Sequence, residues 1–159
     1  CDEKRKDENK DFKDDEMHLD TYFELIAPDK ALIVEDRLDR EKEADPQKLA
    51  TVTVYKKTNP GNYQLEREGI RFPDYLREKG IKLIPVPKEC QLNYGINILT
   101  LEEDKIVAVK QALNQFPEYK QKLIDEGIDI VEVDATNLTK GYGGPHCMTQ
   151  VLRRESNDS

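Results

Sequence analysis

A thiol preceded by a run of glycines stands near the end of this sequence, in Gly143-Gly144-Pro145-His146-Cys147-Met148-Thr149. Glycines let the backbone approach a ligand closely and reach positive φ angles closed to other residues. A thiolate nucleophile needs a partner that holds or relays a proton, and a histidine is the usual one. Two histidines are available, His18 and His146. His18 and Asp20 are two residues apart, so on an extended strand both project from the same face. A carboxylate beside an imidazole suits proton transfer, and it can also clamp a cation such as a guanidinium through paired hydrogen bonds. Taken singly, each feature has a plainer reading: Cys147 as a small buried hydrophobe at a strand start, and His-x-Asp as a structural or surface pair. His146 reads as structural, because adjacent residues on a strand point to opposite faces. Cys90, in a short turn after Pro87, has no visible partner and reads as inert.

The elements that must position these side chains can be followed along the chain. Tyr22 to Ala27 and Ala31 to Glu35 are short apolar runs separated by Pro28-Asp29-Lys30, which predicts an antiparallel hairpin. Asp36 to Gln47 reads as a loop or short helix, and Ala50 to Lys56 alternates as a strand before Thr58-Asn59-Pro60-Gly61-Asn62 breaks the pattern. Phe72 to Lys79 predicts a helix stopped by Gly80, and Ile81 to Val86 a strand. The order recurs: strand Ile96 to Leu101, a turn at Glu102-Glu103-Asp104, strand Lys105 to Val109, helix Ala112 to Glu126 stopped by Gly127, strand Ile128 to Val133. Within that helix Leu113, Phe116, Leu123 and Ile124 form a core-facing stripe, while Pro117 ends or kinks its first turn. A short helical segment, Ala135 to Thr139, then leads through the glycines to a final strand, Cys147 to Leu152. Cys147 is thus expected at a loop-to-strand junction.

Composition narrows the class. The 159 residues suit one hydrophobic core, and 36% hydrophobic with 36% charged residues describes a soluble α/β chain. No apolar run approaches the roughly 20 residues needed to cross a bilayer, and the first residues are charged where a secretory signal would be apolar, so the cytoplasm is the expected compartment. The net charge of -8, with no basic patch, argues against nucleic acid. Three widely spaced cysteines without a CxxC pair suggest neither a disulfide framework nor structural zinc. Residues 1–16, with eight acidic and five basic side chains, read as a surface arm. A chain beginning with Cys1 reads as a piece of something longer.

Met17-His18-Leu19-Asp20-Thr21-Tyr22-Phe23 resembles the MHLDTVF segment of arginine deiminases, and residues 143 to 149 resemble that family's nucleophile loop. Asn93-Tyr94-Gly95-Ile96-Asn97-Ile98-Leu99 resembles its substrate-lining loop, so the resemblance spans residues 17 to 155, with the motifs in the family's order. It implies a pentein, an α/β fold of five strand-strand-helix-strand modules around a central channel. This chain then represents about the last two to three modules, with residues 17–159 the C-terminal part of a catalytic domain. It implies Cys147 as the thiolate attacking a guanidinium carbon, His18 as proton donor and activator of water, Asp20 as guanidinium binder, and Asn97, Tyr142, Gly144 and Lys140 as substrate-binding residues. No metal or cofactor is implied.

The pattern also departs from the family. Two further carboxylates, expected upstream of the histidine motif, have no counterpart except in the charged arm. Tyr142 stands where the family has an arginine that clasps the substrate carboxylate, and Lys140 offers a charge two residues earlier. The expected partner is a small guanidino compound, arginine or a derivative, with no membrane or nucleic acid. The open side of the chain is expected to pair with a second copy or with an N-terminal portion. Arginine deiminase is the leading reading; an amidinotransferase using the same cysteine intermediate and a non-catalytic pentein are the alternatives.

Overall fold

The computed structural model describes residues 18–38 and 50–153. The surface arm expected over residues 1–16 and most of the loop expected over residues 36–47 lie outside them. Strands β1 (Phe23–Ala27) and β2 (Lys30–Val34) form the expected hairpin through Pro28-Asp29. A longer hairpin follows, β3 (Thr51–Asn59) and β4 (Asn62–Arg71), and then helix α1 (Phe72–Glu78) and strand β5 (Lys82–Val86). After the short helix α2 (Lys88–Leu92) come β6 (Leu99–Glu102), β7 (Lys105–Val109), helices α3 (Lys110–Gln115) and α4 (Pro117–Asp125), and β8 (Asp129–Val133).

Two copies of one module are visible in this order. In the first, β2 pairs antiparallel with β1 and parallel with β5; in the second, β7 pairs antiparallel with β6 and parallel with β8. The parallel pair needs a crossover, and helices supply it in both. Gly80 and Gly127 take φ of 79° and 81° just past these helices, so the expected stops are where the sequence puts them. The β3–β4 hairpin is an insertion into the crossover of the first module.

The modules share one core. Ile26, Leu32, Ile84 and Val86 of the first sheet pack with Ile98, Ile106, Leu113 and Leu123 of the second unit. Polar bonds align them: Thr100 Oγ1 donates to Leu25 O at 2.8 Å, and Asp104 N–H donates to Ile26 O at 3.2 Å. Lys30 Nζ meets the Asp104 carboxylate at 2.9 Å, so the two hairpin turns lock to each other.

Four expectations need correction. The break expected at residues 58–62 is a hairpin tip, and β4, both of whose faces are largely exposed, lacks the one-sided burial that makes a strand legible. The helix expected over Ala112 to Glu126 is two helices, because Phe116, preceding Pro117, is pushed out of the helical region to φ -124°, ψ 69°. That break rotates the second helix so that Leu123 is fully buried and Ile124 is 49% exposed, not part of the core stripe. Residues 147–152 form no strand: Met148 N–H bonds Gly144 O at 3.2 Å and Thr149 N–H bonds His146 O at 3.3 Å, curling the chain into turns.

The split helix makes a testable contrast between neighbours. Leu123→Ala should cost about 2–5 kcal/mol of stability, whereas Ile124→Ala should cost well under about 1 kcal/mol. Urea denaturation of the two variants checks it; equal losses would contradict the rotated helix.

Candidate active site

Three loops converge: one before β1, one before β6 and one after β8. The first is a 3-10 turn, Leu19–Thr21, just before β1. His18 precedes it in an extended conformation, and its carbonyl accepts from Thr21 N–H at 3.1 Å and from Thr21 Oγ1 at 2.6 Å. His18 and Asp20 are therefore not on one strand face, as alternation suggested; a tight turn sets their directions. The second loop precedes β6, where Ile98 N–H bonds Ile96 O at 2.9 Å. With Ile96 and Ile98 fully buried, this turn drives Asn97 toward the first loop. The third carries Cys147.

Asn97 joins the other two. Its Nδ2 lies 3.1 Å from the Asp20 backbone oxygen, Asp20 Oδ2 and Cys147 Sγ, and its Oδ1 accepts from Cys147 N–H at 3.2 Å. At 2% exposure the Asn97 amide is committed to these bonds and forms a bridge rather than a free recognition group. Gly144 is what lets the bridge close: a Cβ there would lie 2.7 Å from Asn97 Oδ1 and 2.8 Å from its backbone oxygen.

The Asp20 side chain is 16% exposed. Its Oδ2 takes Asn97, Cys147 Sγ at 3.3 Å and, unexpectedly, His146 Nδ1 at 2.9 Å. Burial alone would push the Asp20 carboxyl up, but the bonds from His146, Cys147 and Asn97 outweigh it and hold the group below the ordinary carboxylate range. Oδ1 is buried with no hydrogen-bond partner among the described residues, a cost of roughly 1–3 kcal/mol. The Cys147 thiol is pushed up by burial and by the Asp20 bond, against the Gly144 N–H and Asn97, which favour the thiolate.

His146 thus sits in the site and not on an opposite face, because the turns at residues 145–148 replace the alternation of a strand. Its Nε2 lies 3.6 Å from Glu24 Oε2 on β1, and burial lifts Glu24 to about 7. Neither Glu24 nor the His146 contact was legible in the sequence. The one available signal was the adjacency of His146 to Cys147.

A cavity of about 720 Å³ opens beside the thiol, lined among others by His18, Asp20, Tyr94, Asn97, Tyr142 and Cys147. Tyr142 is 79% exposed and adopts a left-handed φ of 65° at the cavity. Gly144 lies behind Asn97. Lys140 does not line the cavity; its ammonium bonds Asn137 Oδ1 at 3.2 Å, which corrects the expectation that it supplies a charge there. Among the described residues, no Arg or Lys lines this cavity.

A family model for arginine deiminase matches residues 9–154. The chain belongs to the arginine deiminase family. It is 30% identical over 167 residues to the arginine deiminase of Halobacterium salinarum, covering 93% of this chain and 32% of that protein. To the arginine deiminase of Mycoplasma capricolum it is 29% identical over 142 residues, covering 87% of this chain and 33% of that protein. The chain thus spans about a third of the length of these curated relatives. In fold it resembles an amidinotransferase from Microseira wollei in the saxitoxin biosynthetic pathway, with TM-score 0.57 and 17% identity over 88% of this chain and 32% of that one. The inosamine-phosphate amidinotransferase of Streptomyces griseus matches with TM-score 0.53 and 17% identity over 87% of this chain and 33% of that one. The architecture is a partial pentein, with two strand-strand-helix-strand modules in the described residues.

Within this family member the thiol chemistry can be probed directly. Asp20→Asn removes the anion that holds the Cys147 proton, so the thiol pKa should fall and iodoacetamide should alkylate Cys147 several-fold faster at neutral pH. Cys90, buried and pushed up to about 12, should stay silent in the same peptide map. An unchanged or slower Cys147 rate would contradict the assignment of the bond. Gly144→Ala should displace Asn97 and lower stability by about 1–3 kcal/mol, read by denaturant midpoint.

Proposed function

We propose that this chain carries the nucleophile end of a guanidine-hydrolysing site, and that the full protein is an arginine deiminase converting L-arginine and water to L-citrulline and ammonia. The observation that carries this reading is the contact of Cys147 Sγ with Asp20 Oδ2 at 3.3 Å beside a cavity that His18 also lines. A raised thiol next to an ionised carboxylate is poorly nucleophilic when the cavity is empty. A guanidinium changes both terms: its N–H groups satisfy the Asp20 carboxylate, and its charge favours the thiolate.

The steps then balance. As the guanidinium enters, the Cys147 thiol gives its proton to His18 and the thiolate adds to the guanidinium carbon, giving a tetrahedral centre bonded to sulfur. His18 donates a proton to one nitrogen, the C–N bond breaks, and ammonia leaves an amidino group on sulfur. His18 next takes a proton from water and the hydroxide adds to the same carbon; as the C–S bond breaks the hydroxyl proton passes to sulfur, returning the Cys147 thiol with a ureido product, and His18 gives its proton to the ammonia released. Asp20 stays anionic throughout and holds the nitrogens that remain.

With no Arg or Lys among the described lining residues, the α-carboxylate of arginine must be met by groups beyond these modules, in keeping with a chain about a third of its relatives' length. The small guanidino partner and association with further modules of the pentein belong to the same proposal. We place the activity in the cytoplasm, where the free thiols of Cys90 and Cys147 would persist.

In the full-length protein, Cys147→Ala should abolish citrulline formation, and His18→Ala should lower kcat by about 10²–10⁴. Arginine turnover followed as citrulline and ammonia checks both; full turnover by the Cys147 variant would eliminate the nucleophile assignment. Addition of glycine as an acceptor tests the transferase alternative: a guanidino product in place of ammonia would replace hydrolysis by amidino transfer.

A further inference from the structure

The His146 ring is flanked by two carboxylates that enter from different positions on one rigid stretch. Asp20, in the turn before β1, meets Nδ1 at 2.9 Å, and Glu24, within β1, faces Nε2 at 3.6 Å. Both carboxylates are largely shielded, with side-chain exposures of 16% and 14%, whereas the ring is 43% exposed. On its other side the ring borders a second cavity, of about 490 Å³, to which Leu25, Leu99, Glu102 and Glu103 also contribute. The charged and titratable groups around His146 are therefore Asp20, Glu24, Glu102, Glu103 and Cys147. The ring is the only one of these that can donate a proton-bearing nitrogen to Asp20.

Because an ionised carboxylate only accepts, the Nδ1 nitrogen must carry the proton of that contact. We propose that His146 is a positioning residue for Asp20: its Nδ1–H, with Glu24 steadying the far nitrogen, keeps the Asp20 carboxylate anionic and turned toward Cys147, ready for a guanidinium. This rests on the guanidine-hydrolase reading and adds to it a residue that touches neither the reacting carbon nor the cavity beside the thiol.

Two physical arguments support the role. First, Asp20 is a poor candidate for remaining charged without help: Oδ1 has no partner among the described residues, so all compensation reaches it through Oδ2. Of the donors there, His146 makes the shortest contact, 2.9 Å against 3.1 Å for the Asn97 amide and 3.3 Å for the thiol. Second, the ring faces a carboxylate at each nitrogen, Asp20 2.9 Å from Nδ1 and Glu24 3.6 Å from Nε2, which favours the orientation that points Nδ1 at Asp20.

The test uses the full-length protein with His146→Ala, His146→Asn and His146→Gln. Asn carries an amide N–H close to the Nδ1 position, whereas Gln carries it to the Nε2 position and away from Asp20. Two readouts are needed: the acid limb of the kcat/KM profile for guanidine hydrolysis, and the Asp20 pKa from its carboxyl carbon resonance without substrate. In the Ala and Gln variants the Asp20 pKa and the acid limb should both rise by about one pH unit, with kcat/KM at neutral pH down on the order of tenfold. His146→Asn should restore both. An Asp20 titration that is the same in all four proteins, or equal impairment of Asn and Gln with an unmoved acid limb, would overturn the proposal. Absence of guanidine turnover in the wild type would instead remove the underlying reading, while the carboxyl resonance would still decide the part played by His146.

Discussion

An ionised carboxylate withdrawn from water is the constraint around which this site is organised. Asp20 keeps its charge because donors reach Oδ2 from two separate segments: Asn97 before β6, and the adjacent His146 and Cys147. In a partly buried setting an unpaired anion costs several kcal/mol, so the donors cannot be treated as decoration. The same convergence explains the raised thiol. The bonds that hold Asp20 ionised place an anion against Cys147 and hold the proton on its thiol.

The folded modules are what bring those donors together. Asp20 precedes the first strand of one sheet and Asn97 precedes the first strand of the next, so the repeat delivers both to the same end of the molecule. Their separation along the chain is 77 residues, against 50 between Asn97 and Cys147, and the β3–β4 hairpin accounts for much of the extra length. That an insertion of this size leaves the site undisturbed follows from its position in a crossover far from the pre-strand loops. The contact between Lys30 and Asp104 and the shared aliphatic core then fix the two modules as one unit.

What the amino-acid sequence determined by itself was local. Hairpins, glycine stops and the strand order of the second module follow from turn chemistry and apolar periodicity, which act over a few residues. That Cys147, His18 and Asp20 belong together was also legible from residue types and motif order, and the structure brings all three to one cavity. Strand β4 was not, since a hairpin with two exposed faces lacks any burial pattern, and neither was the rotation of α4 after Pro117 that exposes Ile124.

Only the tertiary structure decided the partners. Alternation along an assumed final strand sent His146 away from Cys147; the actual turns, closed by Met148 and Thr149 N–H bonds, send both side chains to Asp20. Asn97 became a bridge because a buried turn between two isoleucines aims its amide at Asp20 and Cys147. Lys140, close in sequence to the nucleophile, was turned outward to Asn137. The Lys140 bond is local, but the contacts of His146, Cys147 and Asn97 depend on backbone direction between residues 50 to 127 positions apart, and no spacing rule reaches that far.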